Sequence, residues 1–362
     1  MGNLPSNMRA YAFRNNGGPE VFEEIKLPVP APDAGQVLIK VAFAGVNFAE
    51  VQHRRGEFGA PEGAGGYDVP GLEVSGRIVA VGDGGDRDSG GDGGNRYSGA
   101  SGASGENGGN AGGLSVGQEV AAYLPGFGGY AEFAVASPDF VRPVGTLPLE
   151  VAAGVPCVYP TAYGLLSDVG RLRAGDTVLI HSASGGVGTA TARIARLLGA
   201  GKVLGTVGSA TKQPDGYDAL FSRHDFADEI RSATAGRGVD LVLDPIGGPV
   251  RKASLELLAP FGRVVMFGDQ GLHGDWSEDL FTLWKNTRTI AGFNIGDVAR
   301  RSPATIGAHL ATALAALASG ELPYTPPTVV PVTDVADVAE VHRDFEAGTR
   351  SGKTVLGFGV GA

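Results

Sequence analysis

Between residues 177 and 188 the chain reads TVLIHSASGGVG, an apolar run that ends in serines and glycines. The chemistry such a stretch can do is phosphate binding. Ser184, Gly185, Gly186, Val187 and Gly188 form a turn tight enough for a pyrophosphate to approach the backbone. The helix pattern that comes next, TATARIARLLGA, offers unpaired N–H groups and the positive end of its dipole. A buried strand before the turn and an amphipathic helix after it make the pattern more specific than glycines alone; the other reading is a tight turn without a ligand.

The next strand sets the expected specificity. Dinucleotides with a free ribose 2′-OH are held by a carboxylate about 20 residues further on. That place reads KVLGTVGSATKQ, without Asp or Glu, and carries Ser209, Thr211 and Lys212. A hydroxyl and an ammonium suit a 2′-phosphate, which a carboxylate would repel, so NADPH is the expected cofactor; a solvated loop lysine is the alternative.

A second stretch looks chemical but reads otherwise. Residues 90–98, GGDGGNRYS, resemble one copy of a calcium-binding β-roll turn, yet the flanking VGDGGDRDS and GASGASGEN do not repeat it. Such rolls need several stacked copies to bury a face. With Gly, Ser, Asn and Asp dominating and Tyr97 as its one aromatic, 83–113 is expected to be a flexible insertion and not a metal site. The single cysteine, Cys157, excludes an intrachain disulfide, and the six histidines (53, 181, 224, 273, 309, 342) lack ligand spacing and are expected to be surface or packing residues.

The elements that position these residues fall into two rhythms. From Met8, the runs RAYAF, QVLIKVAFAGV, SGRIVAV, EVAAYL and YAEFAV alternate with turns, which implies a compact, mostly antiparallel β domain. Beyond residue 150, TVLIHSA, KVLGTV, VDLVLD and GRVVMFG are almost continuously apolar and alternate with helical patterns, as in a doubly wound parallel α/β sheet. The tail holds a long helix, ATIGAHLATALAALASG, with Gly320 as its stop, then a strand, an Asp-capped helix and a last strand, KTVLGFGV. The simplest arrangement is a β domain of 1–148 and 297–362 with an α/β domain of 149–296 inserted.

At 362 residues and 43% hydrophobic the chain has room for two ordinary domains. A net charge of −10 argues against nucleic-acid or anionic-membrane partners. Neither a long apolar stretch nor a secretory layout is present, so a cytoplasmic location is expected. MGNLPS fits the loose N-myristoylation pattern, but Met8 opens the more convincing domain start.

In this order GVNFAE (45–50), PGLEVSGRIVAVG (70–82), GGYAEFAVA (128–136), PTAYGLL (160–166), SASGGVG, LDPIGG (243–248) and SGKTVL (351–356) resemble the zinc-independent medium-chain dehydrogenase/reductases, most of all the zeta-crystallin-like quinone oxidoreductases. WKNTRTIAGFN further resembles their vesicle-membrane-protein branch. The resemblance covers all but residues 1–7 and 83–113. It implies a Rossmann domain inserted into a GroES-like domain, a homodimer formed through the edge of the cofactor domain, and hydride transfer from NADPH to a small electrophile, a quinone or an α,β-unsaturated carbonyl.

Zinc-dependent relatives place Cys, His and Cys where this chain has Asn47, Leu72 and Cys157, which cannot supply the protein ligands of a catalytic zinc, so no metal is expected. Conjugate reduction then needs only hydrogen-bond donors for the developing oxyanion. The resemblance gives Asn47 a positioning or donor role, the alternative being a turn-forming side chain. It sets Thr161, Phe267 and Asn294 around the nicotinamide and Lys353 near a cofactor phosphate, or else exposed. Arg223 becomes a second 2′-phosphate ligand or a surface charge. Gln52 and Phe58 stand where some relatives have tyrosines. Two other readings stay open: an enoyl-thioester or biosynthetic tailoring reductase, and an NADPH-binding protein without turnover.

Overall fold

The computed structural model describes residues 4–59, 66–82, 112–209, 212–274 and 276–359. The expected insertion at 83–113 therefore lies almost wholly outside the described residues, and so does Thr211. The chain divides into two compact units, one of Met1–Cys157, Gly296–Glu321 and Thr325–Ala362, the other of Val158–Ile295 with Leu322–Tyr324. The first break falls after Cys157 and not after 148, because the short helix at 149–152 packs on strands of the first unit.

In the first unit β1 (Asn7–Ala12) pairs antiparallel with β2 (Glu23–Pro28). A larger sheet joins β3 (Val37–Val46), β4 (Glu73–Val81), β5 (Glu119–Tyr123), β6 (Phe133–Ala136) and β7 (Val141–Pro143) to two strands from the C-terminal tail, β14 (Thr328–Pro331) and β15 (Thr354–Gly357). Its order is β14-β15-β3-β4-β5-β7, with β6 also on β3, and every pairing but β14 with β15 is antiparallel. Two registers bring distant side chains together. Thr354 lies opposite Val46, so Lys353 falls just outside one strand end and Asn47 just outside the other. Across the β3–β4 pairing Ala44 lies opposite Val74, which brings Glu73 to Gly45; a Cβ on Gly45 would sit 2.4 Å from Glu73 Oε1, so only glycine leaves room for that carboxylate.

Helix α1 (Phe48–Arg55) leaves β3 at Asn47 and stops at Gly56, whose φ of 88° is one that glycine adopts freely. Its buried Arg54 pairs with Glu346 of the last helix, α10 (Val335–Ala347), and donates to Gly17 O. The short α2 (Leu149–Ala152), α8 (Ile295–Arg301) and α9 (Pro303–Ser319) complete this part, and α9 ends at Gly320 in the left-handed conformation, the stop read in the sequence.

The second unit is a parallel sheet of β8 (Thr177–Ile180), β9 (Lys202–Val207), β10 (Ala219–Ser222), β11 (Val239–Asp244), β12 (Leu258–Met266) and β13 (Thr289–Gly292), in the order β10-β9-β8-β11-β12-β13. Its central strands are apolar on both faces, and Val178, Leu179, Leu241, Val242, Leu243, Val264 and Val265 are fully buried. The helices are α3 (Val158–Tyr163), α4 (Gly186–Leu197), α5 (Phe226–Ala233), α6 (Gly248–Glu256) and α7 (Leu280–Asn286). The chain reverses its direction of winding between β8 and β11, and the carboxyl ends of strands at such a switch point form a crevice for ligands. This is the expected Rossmann-type unit.

Two histidines are sealed inside these cores. His181 lies 2.8 Å from Thr206 Oγ1 through Nδ1 and 2.7 Å from Ser254 Oγ through Nε2. Ser254 spends its own proton on Val250 O, so Nε2 donates to Ser254 Oγ. His342 has Nε2 3.3 Å from the Tyr130 hydroxyl. Burial pushes the pKa of His181 down to about 4 and of His342 down to about 3. Both folded values lie below the unfolded 6.5, so their contribution to stability is complete above that pH and is lost progressively as pH falls from there toward the folded values. Replacing His342 with Gln, which keeps a partner for Tyr130, is expected to flatten the fall in urea-unfolding free energy between about pH 6 and 4 by up to about 1.4 kcal/mol per pH unit. An unchanged slope would show that His342 is not held neutral.

Candidate active site

Strand β8 ends at Ile180, and the chain turns through Ser184 into α4, capped by Gly185 in extended conformation (ψ 167°). At Gly188 a Cβ would lie 2.4 Å from Ser182 O and 2.8 Å from Ala183 O, so the turn closes only on glycine. The first N–H groups of α4 have no acceptor within the helix and, with the dipole, favour an anion. Along the same carboxyl edge stand most of the other residues read from the sequence: Ser209 and Lys212 beyond β9, Arg223 beyond β10, Phe267 beyond β12 and Asn294 beyond β13. Thr161 is buried on α3.

Two cations stand at the β9–β10 end, Lys212 and Arg223. Lys212 N donates to Ser209 O at 3.1 Å. The Arg223 guanidinium donates to Ser182 Oγ at 3.2 Å, and its Nε is buried with no hydrogen-bond partner among the described residues. Burial lowers the Arg223 pKa, and burial together with the Arg223 charge lowers that of Lys212. Asp244 attracts Arg223 but is itself paired with Arg251 at 2.7 Å. An orphaned donor on a half-buried cation beside a second cation is a cradle for an anion.

The first unit holds a denser cluster. Lys353 Nζ donates to Val46 O at 2.9 Å and to Asn47 Oδ1 at 2.7 Å, and contacts Glu73 Oε1. Asn47 Nδ2 donates to Glu73 Oε1 at 3.1 Å and to Glu50 Oε1 at 3.3 Å. Glu50 also accepts from Leu72 N at 3.0 Å and from Asn47 N at 2.8 Å, and Glu73 Oε2 accepts from Cys157 N at 2.7 Å. Both carboxylates are fully buried. Burial pushes the Glu50 pKa up to about 7 against the opposing charge of Lys353. The three side chains at the zinc-ligand positions are thus an amide held by this cluster, an apolar Leu72, and the Cys157 thiol, whose pKa burial drives well up. Among the described residues no group of three His, Cys, Asp or Glu is placed to hold a metal ion.

Two expectations change here. Lys353, expected beside a cofactor phosphate or exposed, is not exposed: its side chain is 13% exposed and its ammonium meets three acceptors inside the first unit. Asn47 has both amide hydrogens engaged, which leaves the positioning half of its expected role and spends the donor half. Sequence reading missed Glu50, Glu73, Ser182 and Gln270, whose Oε1 lies 3.3 Å from Ser182 Oγ. The first two carried a signal: Glu50 stands three residues after a helix-capping Asn, and Glu73 opens an apolar strand where a carboxylate requires a partner.

Comparison with known proteins agrees with this division. Residues 33–146 match the alcohol dehydrogenase GroES-like domain and residues 186–311 the domain described as zinc-binding dehydrogenase. The quinone oxidoreductase of Rattus norvegicus is 35% identical over 272 residues, which covers 73% of this chain and 74% of the rat protein. The phthioceranic/hydroxyphthioceranic acid synthase of Mycobacterium tuberculosis is 32% identical over 354 residues; these are 95% of this chain, which spans only 15% of that synthase. Among solved structures, a mycobacterial protein complexed with NADPH has a TM-score of 0.79 at 28% identity, covering 97% of this chain and 100% of its own. The CurK enoyl reductase has a TM-score of 0.78 at 26% identity, covering 98% and 99%. With its GroES-like and nucleotide-binding domains in this order, the chain belongs to the medium-chain dehydrogenase/reductase family, in the quinone oxidoreductase branch.

Proposed function

We propose that the protein is an NADPH-dependent, zinc-independent oxidoreductase that reduces quinones or α,β-unsaturated carbonyl compounds. The observation that carries the cofactor is the Arg223 guanidinium, with its orphaned Nε, beside Lys212 at a strand end bearing Gly208 and Ser209 and no carboxylate. The 2′-phosphate falls to Arg223, Lys212 and Ser209; the pyrophosphate falls to Ser184, Gly185, Gly186, Val187 and the α4 terminus. Thr161, Phe267 and Asn294 are assigned to the nicotinamide end. When bound, the cofactor supplies a hydride. An acceptor carbon that takes it leaves negative charge on a conjugated oxygen, which hydrogen-bond donors stabilise without a Lewis acid. The zinc-independent reading is supported by the donor set: Asn47 and Leu72 offer no anionic ligand, and a buried Cys157 resists the thiolate form that metals bind.

A second reading has its own support. Similarity to an enoyl reductase and to part of a much longer acid synthase favours an enoyl-thioester as acceptor. Oxidation of NADPH by purified protein with quinones, simple enones and enoyl-thioesters separates these: quinone or enone turnover is expected, thioester turnover alone would favour the second reading, and tight NADPH binding without turnover would leave a non-catalytic protein. Among the described residues no helix is long and apolar enough to cross a membrane, and a cytoplasmic location stays part of the proposal.

A homodimer is proposed from the edge of the parallel sheet. Strand β13 is an open edge, and Phe261, Phe281 and Trp284 beside it are 74%, 62% and 73% exposed, more aromatic surface than a monomer leaves to water without use. Light scattering is expected to give a dimer that Phe281→Ser with Trp284→Ser converts to monomer; a monomeric parent protein would refute it. For the cofactor, Arg223→Gln is expected to weaken NADPH binding by roughly ten- to a hundredfold, from the loss of a charged hydrogen bond, with NADH binding unchanged. Equal weakening of both nucleotides would make Arg223 a structural residue.

A further inference from the structure

One side chain of the second unit reaches the turn between β8 and α4 from the β9 side. Tyr217 stands in the connection from β9 to β10, and its hydroxyl donates to Gly188 O at 2.8 Å and reaches Ala183 O at 3.3 Å. Ala183 enters the turn and Gly188 lies in the first turn of α4, so a single O–H spans the two sides. Its one proton is shared, with the nearer Gly188 O taking the larger part. Burial pushes the Tyr217 pKa well up, so the group stays a donor.

The ring and backbone of Tyr217 are fixed without that hydroxyl. The ring lies on Gly205 of β9, where a Cβ would sit 2.7 Å from its Cε1. In the backbone next to it, Asp218 N donates to Val203 O at 2.8 Å, and the Asp218 carboxylate accepts from Val203 N at 2.7 Å and pairs with Arg196 of α4. A phenylalanine would fill the same space on the same anchors; the hydroxyl is needed only for the carbonyls of the turn. Its other acceptors are also spent on the protein. Gly185 N donates to Ser182 O at 3.0 Å, Thr189 N to Gly185 O at 3.0 Å and Thr189 Oγ1 to Gly186 O at 3.0 Å. With Tyr217 added, the carbonyls of 182, 183, 185, 186 and 188 each have a donor within the unit, and the N–H groups of the first helical turn are left to an anion.

We propose that Tyr217 is a positioning residue for the pyrophosphate of NADPH: its hydroxyl clasps the two sides of the glycine turn and so sets the spacing of the first N–H groups of α4. This rests on the cofactor reading above and extends it to a residue that acts through the turn. The 2′-phosphate end, assigned to Arg223, Lys212 and Ser209, does not use this contact. Loss of the clasp weakens the part of binding that NADPH and NADH share.

Tyr217→Phe isolates the hydroxyl, with thermal unfolding of the ligand-free protein as the control for folding. Fluorescence titration is expected to show the dissociation constants of NADPH and NADH raised alike, by about five- to tenfold, the scale of one hydrogen bond. Adenosine 2′-monophosphate, which has no pyrophosphate, is expected to bind within about twofold of its affinity for the parent protein. Unchanged affinity for both dinucleotides would make Tyr217 a space-filling ring and overturn the proposal. Equal weakening of all three probes, or weakening of NADPH and adenosine 2′-monophosphate alone, overturns it as well, the first as general loosening and the second as a contact to the 2′-phosphate end. A parent protein that binds neither dinucleotide overturns the cofactor reading instead, and the clasp is then decided by amide hydrogen exchange. Faster exchange at Gly185 and Thr189, the two amides bonded within the turn, supports the clasp in the Phe variant; equal exchange in both proteins refutes it.

Discussion

Two fully buried carboxylates bridged by one amide, with one ammonium beside Glu73, are the constraint on which the first unit depends. Taking a carboxylate out of water is costly unless it is paired and hydrogen-bonded, and removing one partner of such a group leaves an uncompensated charge inside. Glu50 and Glu73 come from an early helix and strand, while Lys353 comes from the last strand of the chain. The cluster can therefore be satisfied only after β15 has added to β3, and the pairing of Thr354 with Val46 sets the register. That requirement ties the C-terminal tail to the N-terminal sheet across the whole intervening α/β unit. It also accounts for Gly45, since any side chain there would displace the Glu73 carboxylate.

The second unit is organised by a different imbalance. Its buried ion pair, Asp244 with Arg251, is internally satisfied: Asp244 also accepts from Ile246 N at 2.7 Å and Gly247 N at 3.1 Å, and Arg251 donates to Gly268 O at 2.9 Å. Arg223 is not. Among the described residues its Nε has no acceptor, and its link to Ser182 spends one N–H on a neutral hydroxyl. A buried donor without an acceptor costs stability, so its persistence at the carboxyl edge of a parallel sheet points to a ligand that completes it. The Glu50, Glu73 and Lys353 cluster of the first unit thus pairs its members with one another, whereas the Arg223 end of the second is what the proposed cofactor phosphate would complete.

Much of this was legible in the residues. The glycine turn, the continuous apolar strands and the Gly320 stop each follow from local physics, because a tight turn, a two-sided strand and a left-handed cap depend on neighbouring residues. The misreadings all involve partners far along the chain. SGKTVL describes a strand start with a lysine, and nothing local says that its ammonium meets Asn47 some 300 residues earlier; only the β15–β3 register does. The same holds for Ser182, which matters because Arg223, from another strand, reaches it. Histidines 181 and 342 read as surface or packing residues, and the second alternative holds for both; their neutral state comes from burial that sequence spacing cannot reveal.

The Asn47 cluster also constrains how the family's zinc positions can change. An amide at the first position is tolerated because its two ends meet opposite charges, and a Leu at the second because its backbone N–H, not its side chain, serves Glu50. Lys353 brings to the cluster the positive charge that the two carboxylates require. Glu50 nevertheless stays pushed up to about 7, because burial outweighs the opposing charge of Lys353, and Glu73 adds a smaller push in the same direction. An additional anion at position 47 would worsen this imbalance, whereas a neutral amide relieves it by donating to both carboxylates. The identity of residue 47 is therefore set by the charges beneath it before any demand of a reacting ligand.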